Sequence, residues 1–298
     1  MTPNIIGAGL AGLIAAHAWP RAEVFEASPA PRAGHRALLR FRTDAVAHLV
    51  GVEFRKVRVH KGLYAHGSYQ QPAIRWANLY AKKVLGSLAG DRSVWSLDPV
   101  ERFIAPDDLY DVLVAAVGDR VHWGVPADFR VPLNPVVNTA PLPVVLKELG
   151  IPAQLQFTRS AITVLRGKIP GADVFQTVYF PESGLNVYRA SITGDVIIIE
   201  CMAAPDEEDL DAVEHAFGVT LPPVSAMERV EQKYGKIAPI GDAQRKELLF
   251  RLTHEHNIYS LGRFATWRNI LLDDVVNDIA VIKRLLKSDA YSARRAAA

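Results

Sequence analysis

The sequence predicts an α/β fold in which a parallel, helix-flanked sheet is interrupted by an antiparallel β-rich insertion. Three observations predict it. An apolar run at 4–6 is followed by three glycines, a small-residue helical segment at 10–18 and a second apolar run at 22–26, a β-α-β order. Between 154 and 202 the apolar period shortens to two, and Gly and Pro turns separate strands at 154–165, 174–180, 185–191 and 196–202. After an acidic helix at 206–217, the end of the chain returns to a strand at 258–261 and a helix at 273–286. Because the parallel part resumes after the insertion, one domain is expected from 1–60, 98–147 and 228–298, and the other from 61–97 and 148–227.

At 298 residues the chain is long enough for about two domains, and 49% hydrophobic with 22% charged residues is a globular composition. The balance of 34 basic against 32 acidic residues leaves +2, so nucleic-acid binding would need a local patch. One such patch lies between Arg32 and Lys61, where eight Lys or Arg face only Asp44 and Glu53. It suits a polyanion such as DNA, or a solvated strand face. The single cysteine, Cys201, excludes a disulfide framework and a cysteine zinc site, and points to a cytoplasmic protein. The apolar stretch at 5–19 is broken by glycines and too short to cross a bilayer, so no membrane association is expected. Nothing in the sequence calls for an obligate protein partner.

In chain order, Gly7, Gly9 and Gly12 form G-x-G-x-x-G between the first strand and the first helix. Glycine there permits the tight turn, close approach of a pyrophosphate and close helix packing, the Rossmann-like arrangement for a dinucleotide. Glu26 ends the second strand nineteen residues after Gly7, where a carboxylate can accept hydrogen bonds from a ribose. Asp107 and Asp108 open a helix that stops at Gly118, before a strand at 121–123. A short strand at 136–137 precedes a loop and a helix stopped by Gly150. Near the other end, 258–267 reads Ile-Tyr-Ser-Leu-Gly-Arg-Phe-Ala-Thr-Trp, a strand running into a Gly-Arg turn ahead of a helix that starts near Asp273 or Asp274.

Together these segments resemble the flavoproteins of the amine oxidase and UDP-galactopyranose mutase clan. The resemblance implies a Rossmann-like FAD-binding domain with an inserted antiparallel β-sheet substrate domain, and FAD as cofactor. Carried over onto this chain, FAD would be held by Gly7, Gly9, Leu10, Ala11 and Gly12, by Glu26 and Ala27, by Arg32 and Arg42, by Val121 and Thr139, and by Gly262, Arg263, Asp274 and Val275. The usual Gly-Gly pair after the acidic residue is Ala33-Gly34 here, a departure in the local loop. The runs 34–42 and 233–239 resemble small phage-encoded flavoproteins. Some relatives of those act in thymine hypermodification, where an FAD-dependent lyase oxidatively cleaves an amino acid attached to the thymine methyl carbon. By that resemblance the substrate is a small amine or a modified base in DNA, and the protein acts in the host cytoplasm.

For the chemistry, the resemblance puts Lys236 beside the flavin or the substrate, against a surface lysine as the plain reading. Trp267 would wall the flavin or else fill interdomain space. Tyr179, Tyr188 and Arg189 lie on adjacent strands, and Arg189 would suit a substrate carboxylate if it is not merely solvated. There is no G-x-S-x-G for a hydrolase. His254-Glu255-His256 lacks the spacing of a zinc helix and reads as a solvated turn, so no metal is expected. The chemistry expected is oxidation of a carbon–nitrogen bond followed by hydrolysis. A mutase-like flavin isomerase and a non-enzymatic flavin-binding protein are the alternatives.

Overall fold

β1 (Asn4–Ile6) is apolar and ends at Gly7, which turns the chain into α1 (Leu10–Ala18). Small and apolar residues make up α1, and Pro20 cannot continue it. Then follow β2 (Val24–Glu26), β3 (Arg40–Phe41), α2 (Ala45–Val50), β4 (Arg55–Ala65), β5 (Ser68–Tyr69), α3 (Ile74–Leu85), β6 (Val100–Ile104), α4 (Leu109–Val117), β7 (Val121–Trp123) and β8 (Val136–Asn138). The rest comprises α5 (Leu142–Glu148), β9 (Arg159–Lys168), β10 (Val174–Tyr179), β11 (Val187–Gly194), β12 (Val196–Cys201), α6 (Glu207–Phe217), β13 (Glu228–Ile237), α7 (Asp242–His256), β14 (Ile258–Ser260) and α8 (Leu272–Ala296). The computed structural model describes residues 2–31, 39–88, 94–129, 135–153 and 155–296, with side chains as far as residue 288. The chain packs as two units, one of Met1–Arg55, Phe103–Phe157 and Pro239–Ala298, the other of Lys56–Arg102 and Thr158–Ala238.

The first unit is built on a parallel sheet of order β14-β8-β1-β2-β7. Leu13, Ile14, Ala15 and Ala16 of α1 are all fully buried, as expected for a helix covered on several sides. The covering elements are β1, α2, α4 and α8. Asp273 at the start of α8 is buried and accepts from the backbone N–H groups of Arg42 (3.0 Å) and Thr43 (2.9 Å), tying the loop after β3 to that helix.

The second unit is a mixed sheet of order β13-β9-β12-β11-β10-β4, with β5 paired to β4. One side packs on α6 through Val178, Ala190, Ile192 and Ile199, the other on α3 through Leu63, Trp76, Tyr80 and Tyr188. Burying a side chain of this size stabilises by about 1.5–3 kcal/mol. Asp206 caps α6 in a reciprocal box with Asp209, and the buried Asp209 also accepts from the Val187 N–H at 2.8 Å. On α3, the Lys83 ammonium donates to the carbonyls of Phe180 (2.9 Å), Glu182 (2.6 Å) and Val187 (2.6 Å), closing the β10–β11 turn.

Several expectations need correction. The inserted sheet is not wholly antiparallel: β10 pairs in parallel with β4, a strand from much earlier in the chain. The strand expected at 154–165 begins at Arg159 and runs to Lys168. β13, expected with the nucleotide-binding part, is held in the second unit by pairing with β9. His254-Glu255-His256 is the last turn of α7, a helix whose buried Arg245, Leu248 and Leu252 recur at helical spacing, and His254 stacks on Phe250. Among the described residues, no helix is long and apolar enough to cross a membrane.

Candidate functional site

In the first unit the chemistry gathers at the carboxyl ends of β1 and β8, beside which the sheet order reverses direction, the place where open α/β sheets bind ligands. Gly7 has φ +97°, and a Cβ there would strike the Thr139 hydroxyl. That hydroxyl donates to the Ile6 carbonyl at 2.7 Å and so fastens the turn to the end of β8. At Gly12 a Cβ would run into the Gly7 carbonyl, so the third glycine is required for α1 to pack on the turn. Gly9 is different. A Cβ there would meet nothing within 4 Å, and its backbone is ordinary, with φ −74°. Gly9 is also the N-cap of α1 and offers no side-chain acceptor to the first-turn N–H groups of Leu10, Ala11 and Gly12. An open space in front of uncapped N–H groups is a place for an anion.

Glu26 is held from two sides: Oε2 accepts from the Ala8 N–H at 2.8 Å and Oε1 from the Ser28 N–H at 2.9 Å. Each oxygen keeps a second lone pair, so the fixed carboxylate can still accept from a hydroxyl pair. Ala27 beside it is exposed, while Val121 on β7 is buried, paired with Val24. From the other end of the chain, Gly262 (φ +86°) lies so close to α1 that a Cβ would come within 3.0 Å of the Ala11 side chain. The two glycine turns, 250 residues apart in sequence, therefore meet. The residues fit the phosphates and a ribose of a dinucleotide: an anion space at Gly9, a fixed acid at Glu26 and close backbone at Gly262.

Other cofactor expectations land differently. The Arg42 guanidinium donates to Asp274 at 2.6 Å, so these two neutralise each other, and Asp274 also accepts from the Leu271 N–H at 2.9 Å. Val275 is buried in the core. Arg263 lies 5.4 Å from the centre of the Phe264 ring. Trp267 is buried in a left-handed backbone conformation (φ 47°), edge-on to Phe157 at 5.0 Å. Such a conformation is uncommon for a bulky residue and stores strain. Arg32 and the Ala33-Gly34 departure lie outside the described residues.

In the second unit a polar network sits on the α3 side of the sheet. Between Val187 and Arg189 the β11–β12 register slips by one, making Tyr188 the extra residue of a bulge. In a regular strand Tyr188 and Arg189 would face opposite sides, but here both reach Glu200 on β12. The Tyr188 hydroxyl donates to Glu200 at 2.8 Å, and Arg189 Nε donates to the other carboxylate oxygen. A second irregularity, between Gln232 and Lys236 of β13, accompanies the placement of the Lys236 ammonium 4.0 Å from the centre of the Tyr188 ring. Tyr80 meets Tyr179 edge-on at 5.3 Å. Burial alone would push the Glu200 carboxyl up, but the charge and hydrogen bond of Arg189, the Lys236 charge and the Tyr188 hydroxyl hold it below its usual range. Burial and the Glu200 charge push the Tyr188 phenol well up, so it stays protonated.

Sequence reasoning singled out Lys236, Arg189 and Tyr179, and missed Glu200 and Tyr80. The missed signal was the acid itself: Glu200 ends an all-apolar run, Val-Ile-Ile-Ile, and an acid in a buried strand must have partners. In the basic segment, Arg55 and Arg58 are exposed on β4, Lys56 pairs with Glu101 at 2.9 Å, and Lys61 donates to the Ser96 carbonyl at 3.4 Å.

The sheet order and the glycine turns define a Rossmann-like α/β protein with an inserted mixed sheet. No family profile matches the chain, and no curated protein matches it. Among solved structures, reduced UDP-galactopyranose mutase matches with a TM-score of 0.66 and 14% identity, over 96% of this chain and 94% of that one. An oxidoreductase from Methanosarcina mazei matches with a TM-score of 0.59 and 10% identity, over 95% of this chain and 100% of that one. At these identities the likeness is one of fold.

Proposed function

We propose that the chain is an FAD-dependent oxidoreductase that oxidises a carbon–nitrogen bond of an amine, with hydrolysis of the product. The observation that carries the reading is the open space at Gly9, before the uncapped first turn of α1 and on the same β-α-β unit as the doubly held Glu26. When bound, the flavin supplies a hydride acceptor for the carbon beside nitrogen. The chain's part is to hold that cofactor through the α1 N–H groups and Glu26, and to orient the substrate. Loss of hydride and a proton leaves an imine, and water then divides it into an amine and a carbonyl compound. The names of the two fold relatives, a mutase and an oxidoreductase, agree with a flavoenzyme.

In the finer reading the amine is an amino acid carried on the methyl carbon of thymine in phage DNA. The DNA would keep an aminomethyl group while a glyoxylate-like fragment leaves. Purified protein should be yellow and release intact FAD on denaturation. Anaerobic mixing with the modified nucleoside should bleach the flavin band. Colourless protein that takes up NAD in place of FAD would overturn the cofactor, and a flavin that no amine reduces would overturn the reaction. A second reading, a mutase-like isomerase, is favoured by the match to UDP-galactopyranose mutase. It would show as turnover of a sugar nucleotide by the reduced protein with no net oxidation.

A further inference from the structure

Resting on the amine-oxidation reading, we propose that Glu200 is the positioning residue of a carboxylate-binding site in which the outer edge of Arg189 and the Lys236 ammonium take the carboxylate of the substrate.

The bulge at Tyr188 puts Tyr188, Arg189 and Glu200 on one side of the sheet, and Glu200 receives a donor from each of the other two. Glu200 engages the guanidinium by Nε, which leaves the paired Nη groups as the edge for a second, bidentate acceptor. Exposure agrees: the Glu200 side chain is 13% exposed and Arg189 39%, so the cation reaches outward past its acid. Lys236 is carried on the face of the Tyr188 ring, so the hydroxyl that binds Glu200 and the ring that seats Lys236 belong to one side chain. Two cations and one anion among these residues leave a single positive charge, which matches a monoanionic carboxylate better than a phosphate dianion. The rings of Tyr80 and Tyr179 border this group and limit water, which strengthens charge pairing. Glu200 therefore acts through Arg189 and Tyr188 and does not touch the ligand.

Reductive methylation with carbon-13 labels lysines while keeping their charge, and the Lys236 signal is identified by its loss in Lys236→Arg. Acetate added to the purified holoprotein is expected to move that signal saturably, acetamide to leave it unmoved, and inorganic phosphate to bind more weakly than acetate. No saturable shift, an equal response to acetamide, or tighter binding of phosphate would overturn the carboxylate site. Arg189→Met is expected to weaken acetate about tenfold or more, the loss of a charge-assisted bidentate pair. Glu200→Gln decides the positioning role, because it adds net positive charge yet disrupts the hold on Arg189. Weakening by about tenfold supports the proposal, and tighter or unchanged binding overturns it. If that variant does not fold, Tyr188→Phe removes one bond to Glu200 and keeps the ring beneath Lys236. A several-fold loss of acetate affinity is then expected, and an unchanged affinity overturns the positioning role. The titration needs neither flavin reduction nor turnover. Acetate binding in a protein that oxidises no amine would refute the function above and leave this site standing.

Discussion

Tyr188 and Glu200 are joined by a 2.8 Å hydrogen bond that the β11 bulge makes possible, since Tyr188 is the extra residue that shifts the register with β12. By alternation from Ala190 and Ile192, Tyr188 would face α6; it packs against α3 instead. One displaced residue thus creates a network of an acid, a phenol and two cations on the α3 side.

The network makes stability depend on acid. Glu200 titrates below its usual range in the folded protein, so the unfolded chain binds the proton more readily. Its contribution is complete above the unfolded carboxyl value, about 4.3, and is lost as pH falls through the lower folded value. Urea unfolding between pH 3 and pH 7 should therefore show an acid limb that is shallower in Glu200→Gln. Tyr188→Phe should cost about 1.5–3 kcal/mol at pH 7, the worth of a hydrogen bond to a charged group.

Lys83 gives a slope of the same sign in an alkaline window. Burial lowers its ammonium to about 8, against the raising charges of Asp209, Cys201 and Glu182. Between that value and the unfolded value near 10.4 the unfolded chain holds a proton that the folded chain has released, so stability rises with pH there. The gain is at most about 3 kcal/mol, because the carbonyls of Phe180, Glu182 and Val187 favour the charged form. Unfolding free energies from pH 7.5 to 10.5 should show this rise in the native protein relative to Lys83→Met. Parallel curves would show that Lys83 keeps its proton throughout.

What could be read in advance followed from backbone demands. Gly7 and Gly12 are legible because a turn and a helix contact each exclude a side chain, and local spacing carries both. The strand 196–201 keeps a period of two with one face buried. The irregularities at Tyr188 and before Lys236 were not legible, because an inserted residue breaks the period and leaves no signal of its own. α7 was hidden by charge: its buried stripe is Arg245, Leu248 and Leu252 amid polar residues. The Arg42–Asp274 pair spans 232 residues, a separation at which spacing carries no information.

Two neighbouring glycines separate folding from cofactor binding. Gly9→Ala places a methyl group in open space on an ordinary backbone, so the melting temperature should stay within a few degrees of the native value. FAD uptake should fall, because the methyl enters the space assigned to the pyrophosphate. Gly12→Ala drives a methyl into the Gly7 carbonyl and should lower the melting temperature sharply. Thermal melts beside flavin fluorescence of the bound fraction would test both. Full FAD uptake by Gly9→Val would mean that the cofactor lies elsewhere.

The DNA reading is tested at Arg58. On β4, Val57 and Val59 are buried and Arg58 between them is exposed, so reversing its charge should leave the core intact. Lys56 is already paired with Glu101, so Arg58 is the better probe of a phosphate contact on this strand. If modified DNA is the substrate, the logarithm of its binding constant should fall linearly with the logarithm of salt concentration, by about 0.9 per phosphate neutralised. Arg58→Glu should lower that slope by about one unit across unrelated sequences, because phosphate contacts carry no base information. FAD uptake should not change, since Arg58 belongs to the second unit and the glycine turns to the first. Fluorescence anisotropy with a labelled duplex at several salt concentrations measures the slope directly. A slope near zero in the native protein would reduce the basic strand to a solvated face and leave a free amine as the substrate.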